Sequence, residues 1–144
     1  MSPRILRLED WTSPVPAAKR EVLSALPHPD DGRPPLLFVP GLGHAAWAFR
    51  EHWLGHAATR GYAAYALSPR SGGSLRAYVH DVVQVAAGLP RQTVLVGHGY
   101  GALVVAHALV RYPARAAVLA APLLDGWAAL GAALRANPAG TLPA

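Results

Sequence analysis

Val94-Leu95-Val96-Gly97-His98-Gly99-Tyr100-Gly101-Ala102 carries glycine at the first, third and fifth positions of a turn between two apolar segments of different character. The Val-Leu-Val run suits a strand covered on both faces, and Ala102 to Arg111 suits the helix that follows it. Glycine enters positive-φ backbone without steric cost, so three of them in five residues mark a sharp reversal where strand and helix approach closely. A phosphate seated at a helix N-terminus would use a similar turn, and the neighbouring segments decide what this one is for.

Upstream, Leu36-Leu37-Phe38-Val39 is a second continuous apolar run. It leads into Pro40-Gly41-Leu42-Gly43-His44 and then Trp47, Phe49, Trp53, Leu54 and Ala57 at helical spacing as far as Gly61. Tyr62 to Leu67 reads as another buried strand. After the loop Ser68 to Ser74, the Ser74 hydroxyl is placed to cap a helix over Leu75 to Leu89, whose Tyr78, Val79, Val82, Val83 and Ala86 share one face. Thr93 to Val96 and Ala116 to Ala121 are the remaining strands. Buried strands alternating with crossover helices predict an α/β fold, a three-layer α/β/α sandwich with a mostly parallel sheet. Ahead of that core, Ile5 to Trp11 and Lys19 to Leu26 alternate apolar and polar residues and predict two antiparallel lead-in strands, joined to it by the turn chemistry of Pro27 to Pro35. The expected organisation is a single domain over 1–144, with lead-in strands and turn at 1–34 and core βα units at 35–122. The segment 123–144 is expected to hold the start of a further helix, Gly126 to Leu134, and a tail.

In that order of elements the 94–102 turn matches G-x-S-x-G, the nucleophile elbow, whose central residue is lifted above the sheet in a strained conformation. Gly97 and Gly101 hold the flanks, and Gly99 stands where the serine belongs. Residues Pro35 to Pro122 resemble, in order and spacing, the N-terminal half of serine-type α/β-hydrolases of the esterase and lipase kind. Phe38-Val39-Pro40-Gly41-Leu42-Gly43-His44 with Trp47 lies where that family carries its oxyanion-hole loop. Gly61 to Ser74 resembles its second strand with an Arg- and Gly-rich loop, and Tyr78-Val79-His80-Asp81-Val82 the helix before the elbow. Pro40 departs from the usual histidine, and Gly99 from the serine.

The resemblance implies a truncated α/β-hydrolase fold in which Gly99 is a degenerate nucleophile position, without an oxygen, sulfur or carboxylate to attack a substrate. It implies an oxyanion hole from the backbone N–H groups of Leu42 and Tyr100, with His44 and His98 as pocket candidates. His98 is expected to pack beneath the turn, and the Tyr100 side chain to line the pocket. In this superfamily an acid and then a late histidine follow the nucleophile. After Gly99 the sequence holds one histidine, His107, and one carboxylate, Asp125. His107 falls about two turns along the helix and is expected to be structural, and Asp125 to cap the helix from Gly126.

The function so implied is that of a relative of serine esterases and lipases that is catalytically impaired or inactive. An anion site alone would leave on the order of 10³-fold rate enhancement. The alternatives are half of a split hydrolase completed by another chain, a non-enzymatic small-molecule-binding relative, or an active hydrolase using Ser71, Ser74 or a water activated at His44.

Composition bounds the remaining classes. Hydrophobic residues make up 52% and charged residues 15%, which suits buried parallel strands, and the absence of cysteine excludes disulfides and thiolate metal sites. The net charge is +5, but the thirteen Lys and Arg are spread from Arg4 to Arg135 without a cluster, so nucleic acid is not the expected partner. No apolar run reaches the roughly 18 residues of a membrane span, and Glu9-Asp10 sits where a signal peptide would be apolar, so the default location is the cytoplasm. His52 and His56 have i, i+4 spacing without a third ligand, and neither metal nor cofactor is expected. Trp47, Trp53, Tyr62 and Tyr65 have core spacing. The expected ligand is a small acyl-type molecule. The uncharged Ala116 to Ala121 strand is expected to form an open edge, inviting a homodimer or a complementary C-terminal chain.

Overall fold

Four short apolar runs form the parallel part of one sheet: Leu36–Val39, Ala64–Ser68 and Val94–His98 are largely buried beneath crossover helices, whereas Ala116–Ala120 is exposed along most of its length. The computed structural model describes residues 8–18 and 20–122. Its elements are α1 (Leu8–Thr12), β1 (Glu21–Ala25), β2 (Leu36–Val39), a helical segment over residues 46–59 that ends in α2 (Gly55–Thr59), β3 (Ala64–Ser68), α3 (Leu75–Gly88), β4 (Val94–His98), α4 (Tyr100–Ala108) and β5 (Ala116–Ala120). The strand order is β1-β3-β2-β4-β5, with β1 antiparallel to β3 and all other pairs parallel. The expected α/β sandwich is present, with the four core strands where their apolar runs placed them.

The lead-in differs. Ile5 to Trp11 was expected to be a strand, but its described part lies in α1, where Ser13 N–H donates to Glu9 O at 2.8 Å. Leu8 and Trp11 are 78% and 75% exposed, so the alternation corresponds to no buried face. A short alternating pattern carries no information about a partner strand, and local helical bonds close without one. The second lead-in strand is present as β1, and the helix expected over Gly126 to Leu134 lies outside the described residues.

The sheet separates two cores. On one face Leu37, Val39 and Leu95 pack with Val79, Val82 and Val83 of α3 and Val104, Val105 and Ala108 of α4. On the other, Phe38, Ala64, Ala66 and Val96 pack with Ala46, Phe49, Leu54 and Ala57. This second covering layer is not one regular helix: a 3₁₀ turn at Ala46–Phe49 passes into a π-helical turn at Arg50–Leu54 before α2. The changing residues per turn shift side chains off a 3.6-residue stripe. Trp47 and Trp53, expected in the core, are therefore 52% and 49% exposed, although Trp53 still meets the rings of Phe38 and Phe49 edge-on at 5.8 and 6.1 Å. Among the described residues no helix is long and apolar enough to cross a membrane.

Two local features set the shape above the sheet. The first is the β4–α4 turn. A Cβ on Gly101 would collide with the carbonyl oxygens of Val39 and Pro40, the latter at 2.6 Å, and one on Gly97 would lie 2.7 Å from the Ala102 Cα. Both are backbone contacts, so α4 sits against β2 at a distance that only glycine permits. The second is a buried ion cluster. Asp81 of α3 is fully buried and accepts from Arg70 Nε at 3.0 Å, Arg70 Nη2 at 2.8 Å, the Arg70 backbone N–H at 3.2 Å and Arg20 Nη1 at 3.1 Å. Arg70 Nη1 also donates to Pro16 O at 2.7 Å. One carboxylate thus ties α3 to the loop after β3 and to the segment leading into β1. Burial alone would raise the Asp81 carboxyl, but the Arg70 hydrogen bonds and the Arg70 and Arg20 charges outweigh it and hold the group below its ordinary value of 3.8.

Two stability predictions follow from these contacts. Gly101→Ala should cost about 1–3 kcal/mol or more in denaturant unfolding, because backbone rather than a flexible side chain must yield, whereas Gly88→Ala, with open space around its Cβ position, should not. Asp81→Ala, which leaves two arginines uncompensated, should cost about 3–5 kcal/mol. Because the folded pKa of Asp81 is depressed, its contribution is complete above the unfolded value and disappears as pH falls through the folded one. Melting temperatures followed from about pH 5 to about pH 2 should therefore drop more steeply for the parent than for Asp81→Asn.

Candidate active site at the carboxyl ends of the parallel strands

β2 occupies the middle of the sheet, and the connection after it runs to β3 on one side while the connection after β3 crosses to β4 on the other. Such a reversal opens a crevice beyond the carboxyl ends of the strands. A cavity of about 620 Å³ lies there, within the range of small-molecule sites. Its walls come from the loop after β2 (Gly41, Leu42, His44, Trp47), the loop after β3 (Arg70, Ser71, Gly73), Tyr78 and Val82 of α3, and Tyr100 and Val104 of α4.

At the base of this cavity Gly99 takes φ 60°, ψ −123° as the chain passes from β4 into α4. An L-residue holds such backbone only under strain. The Gly99 N–H donates to Ala120 O at 3.0 Å, which fastens the turn to β5. Gly99 is buried and does not itself line the cavity; the next residue, Tyr100, does. The Gly41 backbone lies against the same turn, since a Cβ built there falls 3.7 Å from Tyr100 N and 3.3 Å from His98 O. Leu42 and Tyr100 therefore reach the cavity from adjacent backbone, and neither N–H has an acceptor among the described residues.

His44 lines the cavity, half-buried. Its backbone N–H donates to Gly41 O at 3.2 Å and its Nδ1 lies 3.1 Å from Leu42 O, while its ring sits 5.5 Å from that of Trp47. His98 departs from expectation, because it is exposed at the end of β4 and is neither packed beneath the turn nor part of the cavity wall. The reason is the strand pleat: buried Leu95 and Gly97 face the α3 and α4 layer, and His98 projects to the opposite face, where the Ala46–Thr59 layer does not reach.

Ser71 lines the cavity from an exposed loop, whereas the Ser74 hydroxyl is engaged as the cap of α3, accepting from Ala77 N–H at 3.2 Å. His107 is exposed in the last turn of α4 and lines no part of the cavity. Asp125 lies outside the described residues. His52 and His56 are exposed beside a second groove of about 700 Å³, bordered by Phe38, Trp53, Val96 and Val118. No group of three potential metal ligands occurs among the described residues.

The sequence reading missed Arg70, Tyr78 and Trp47 as wall residues. Tyr78 gave the clearest signal, being the one phenol on an otherwise aliphatic helix face; its hydroxyl accepts from Gly73 N–H at 3.1 Å and its ring meets that of Tyr100 edge-on at 6.4 Å. Burial, with Tyr78 beside it, pushes the Tyr100 hydroxyl above its ordinary pKa, so it stays a neutral donor. Arg70 is paired with Asp81, which it shares with Arg20.

The fold has counterparts among solved structures. BpoC of Mycobacterium tuberculosis, provisionally described as a non-heme bromoperoxidase, superposes with a TM-score of 0.67 at 19% identity, covering 88% of this chain and 51% of that one. The epoxide hydrolase VrEH1 of Vigna radiata matches with a TM-score of 0.60 at 24% identity, over 69% of this chain and 34% of that one. A monoacylglycerol lipase of Paleococcus ferrophilus matches with a TM-score of 0.64 at 18% identity, over 84% and 53% respectively. The chain spans about half the length of the first of these structures. No curated protein matches it. The sequence pattern of the alpha/beta hydrolase family matches residues 36–144, most of the chain, and the chain belongs to that family.

Proposed function

We propose that this family member retains the ligand cavity of a serine-type hydrolase but lacks its elbow nucleophile, so that it is catalytically impaired or inactive and binds a small acyl-type molecule. The observation that carries the reading is Gly99: it has the strained backbone of an elbow, between glycines that permit the close approach of α4, and no functional group to attack with. Leu42 and Tyr100 would supply the oxyanion hole through their free N–H groups, and His44 the polar pole of the pocket. Ser74 is committed to capping α3, which weakens the rival reading of a displaced nucleophile there. A fluorophosphonate probe should leave the purified protein unlabelled, and Gly99→Ser should introduce weak labelling, because the backbone is already in the required shape. Stoichiometric labelling of the parent would instead mean that another serine, Ser71 first, is activated.

A second reading is favoured by β5. Among the described residues β5 pairs only with β4, and Val118 and Leu119 are 50% and 39% exposed. An uncharged parallel strand with an open edge and exposed faces is a site for association. We propose that this edge is completed by a second copy or by a complementary C-terminal chain. Sedimentation velocity at micromolar concentration should show mass rising with concentration, and Val118→Lys should reduce it. A monomer at every concentration would remove this reading and leave the first intact.

A further inference from the structure

The cavity wall carries one acceptor that no described residue satisfies. Leu42 O can only accept, so the His44 ring nitrogen 3.1 Å from it, Nδ1, must carry the proton. That bond fixes the tautomer and leaves Nε2 with an exposed lone pair. Nε2 has no partner among the described residues, and the ring that carries it lines the cavity with one flank against Trp47. Two residues away on the same loop is the Leu42 N–H, which together with the Tyr100 N–H is a donor without an acceptor. The three residues that carry these donors and this acceptor all line the one cavity.

A carbonyl oxygen could take only the two N–H groups and would leave Nε2 unmet. A hydroxyl oxygen can accept from the N–H groups while its proton goes to Nε2, so an alcohol satisfies both halves. Among the described residues no carboxylate lines the cavity, so a cationic ligand finds no counter-charge there, and a carboxylate ligand, like a carbonyl, would leave Nε2 unmet.

We infer that His44 is the specificity-determining residue of the cavity and that the cavity selects an uncharged, partly apolar alcohol, gripped between the His44 Nε2 and the Leu42 and Tyr100 N–H groups. The inference rests on the reading of this cavity as a ligand site and puts an alcohol in place of the acyl-type ligand.

The probes are 4-fluorobenzyl alcohol and its methyl ether, which replaces the hydroxyl donor by a methoxy group, titrated into the intact chain by fluorine NMR. The alcohol should bind about five- to tenfold more tightly, the worth of one hydrogen bond in a partly desolvated site. In His44→Phe, which keeps a ring against Trp47, the preference should fall to about onefold, with the ether's affinity little changed. In the parent protein, nitrogen-15 NMR of His44 should show Nε2 shifting on addition of the alcohol and not of the ether, a readout that does not depend on the variant folding. If both probes bind equally, or the preference survives in His44→Phe, or Nε2 stays silent, the assignment of His44 is overturned while the cavity remains a ligand site. If neither probe binds, the cavity reading falls and this inference falls with it.

Discussion

Everything above the sheet depends on how closely α4 can lie against β2. The carbonyl oxygens of Val39 and Pro40 occupy the space that a side chain at position 101 would need, and the first turn of α4 occupies the space above position 97. Absence of two Cβ atoms lets the helix N-terminus come down beside the loop that follows β2. That approach sets the Tyr100 N–H beside Gly41 and Leu42 and gives the cavity its floor. A helix held further out by even one methyl group would open the floor and separate the two free N–H groups.

Gly99 belongs to the same constraint but answers it differently. A side-chain-bearing residue at φ 60°, ψ −123° would hold strain of about 1–3 kcal/mol, of the kind tolerated where it serves chemistry. Glycine holds the same backbone without that strain, so the sharp turn is kept at lower conformational cost.

The opposite wall is set by charge. Asp81, out of water, is stable as a carboxylate because Arg70 and Arg20 surround it. One carboxylate between two guanidiniums leaves the cluster one net positive charge.

The sequence by itself determined the strands and their covering helices, because continuous apolar runs of four or five residues and 3.6-residue stripes are local patterns; the exposed run Ala116–Ala120 shows that such a pattern fixes the element without fixing its burial. It also determined the glycine turn and the Ser74 cap, each a property of consecutive residues. It misread Ile5 to Trp11, since alternation says nothing about whether a partner strand exists. Trp47 and Trp53 were misplaced because the winding of the Ala46–Thr59 segment departs from the period the reading assumes. Only the tertiary structure decided that His98 faces solvent and His44 the cavity, that Asp81 gathers arginines 11 and 61 residues away in sequence, and that Tyr78 meets Tyr100. Those are contacts between segments brought together by the crossovers of the sheet, and their geometry is set by backbone approach distances that no local pattern encodes.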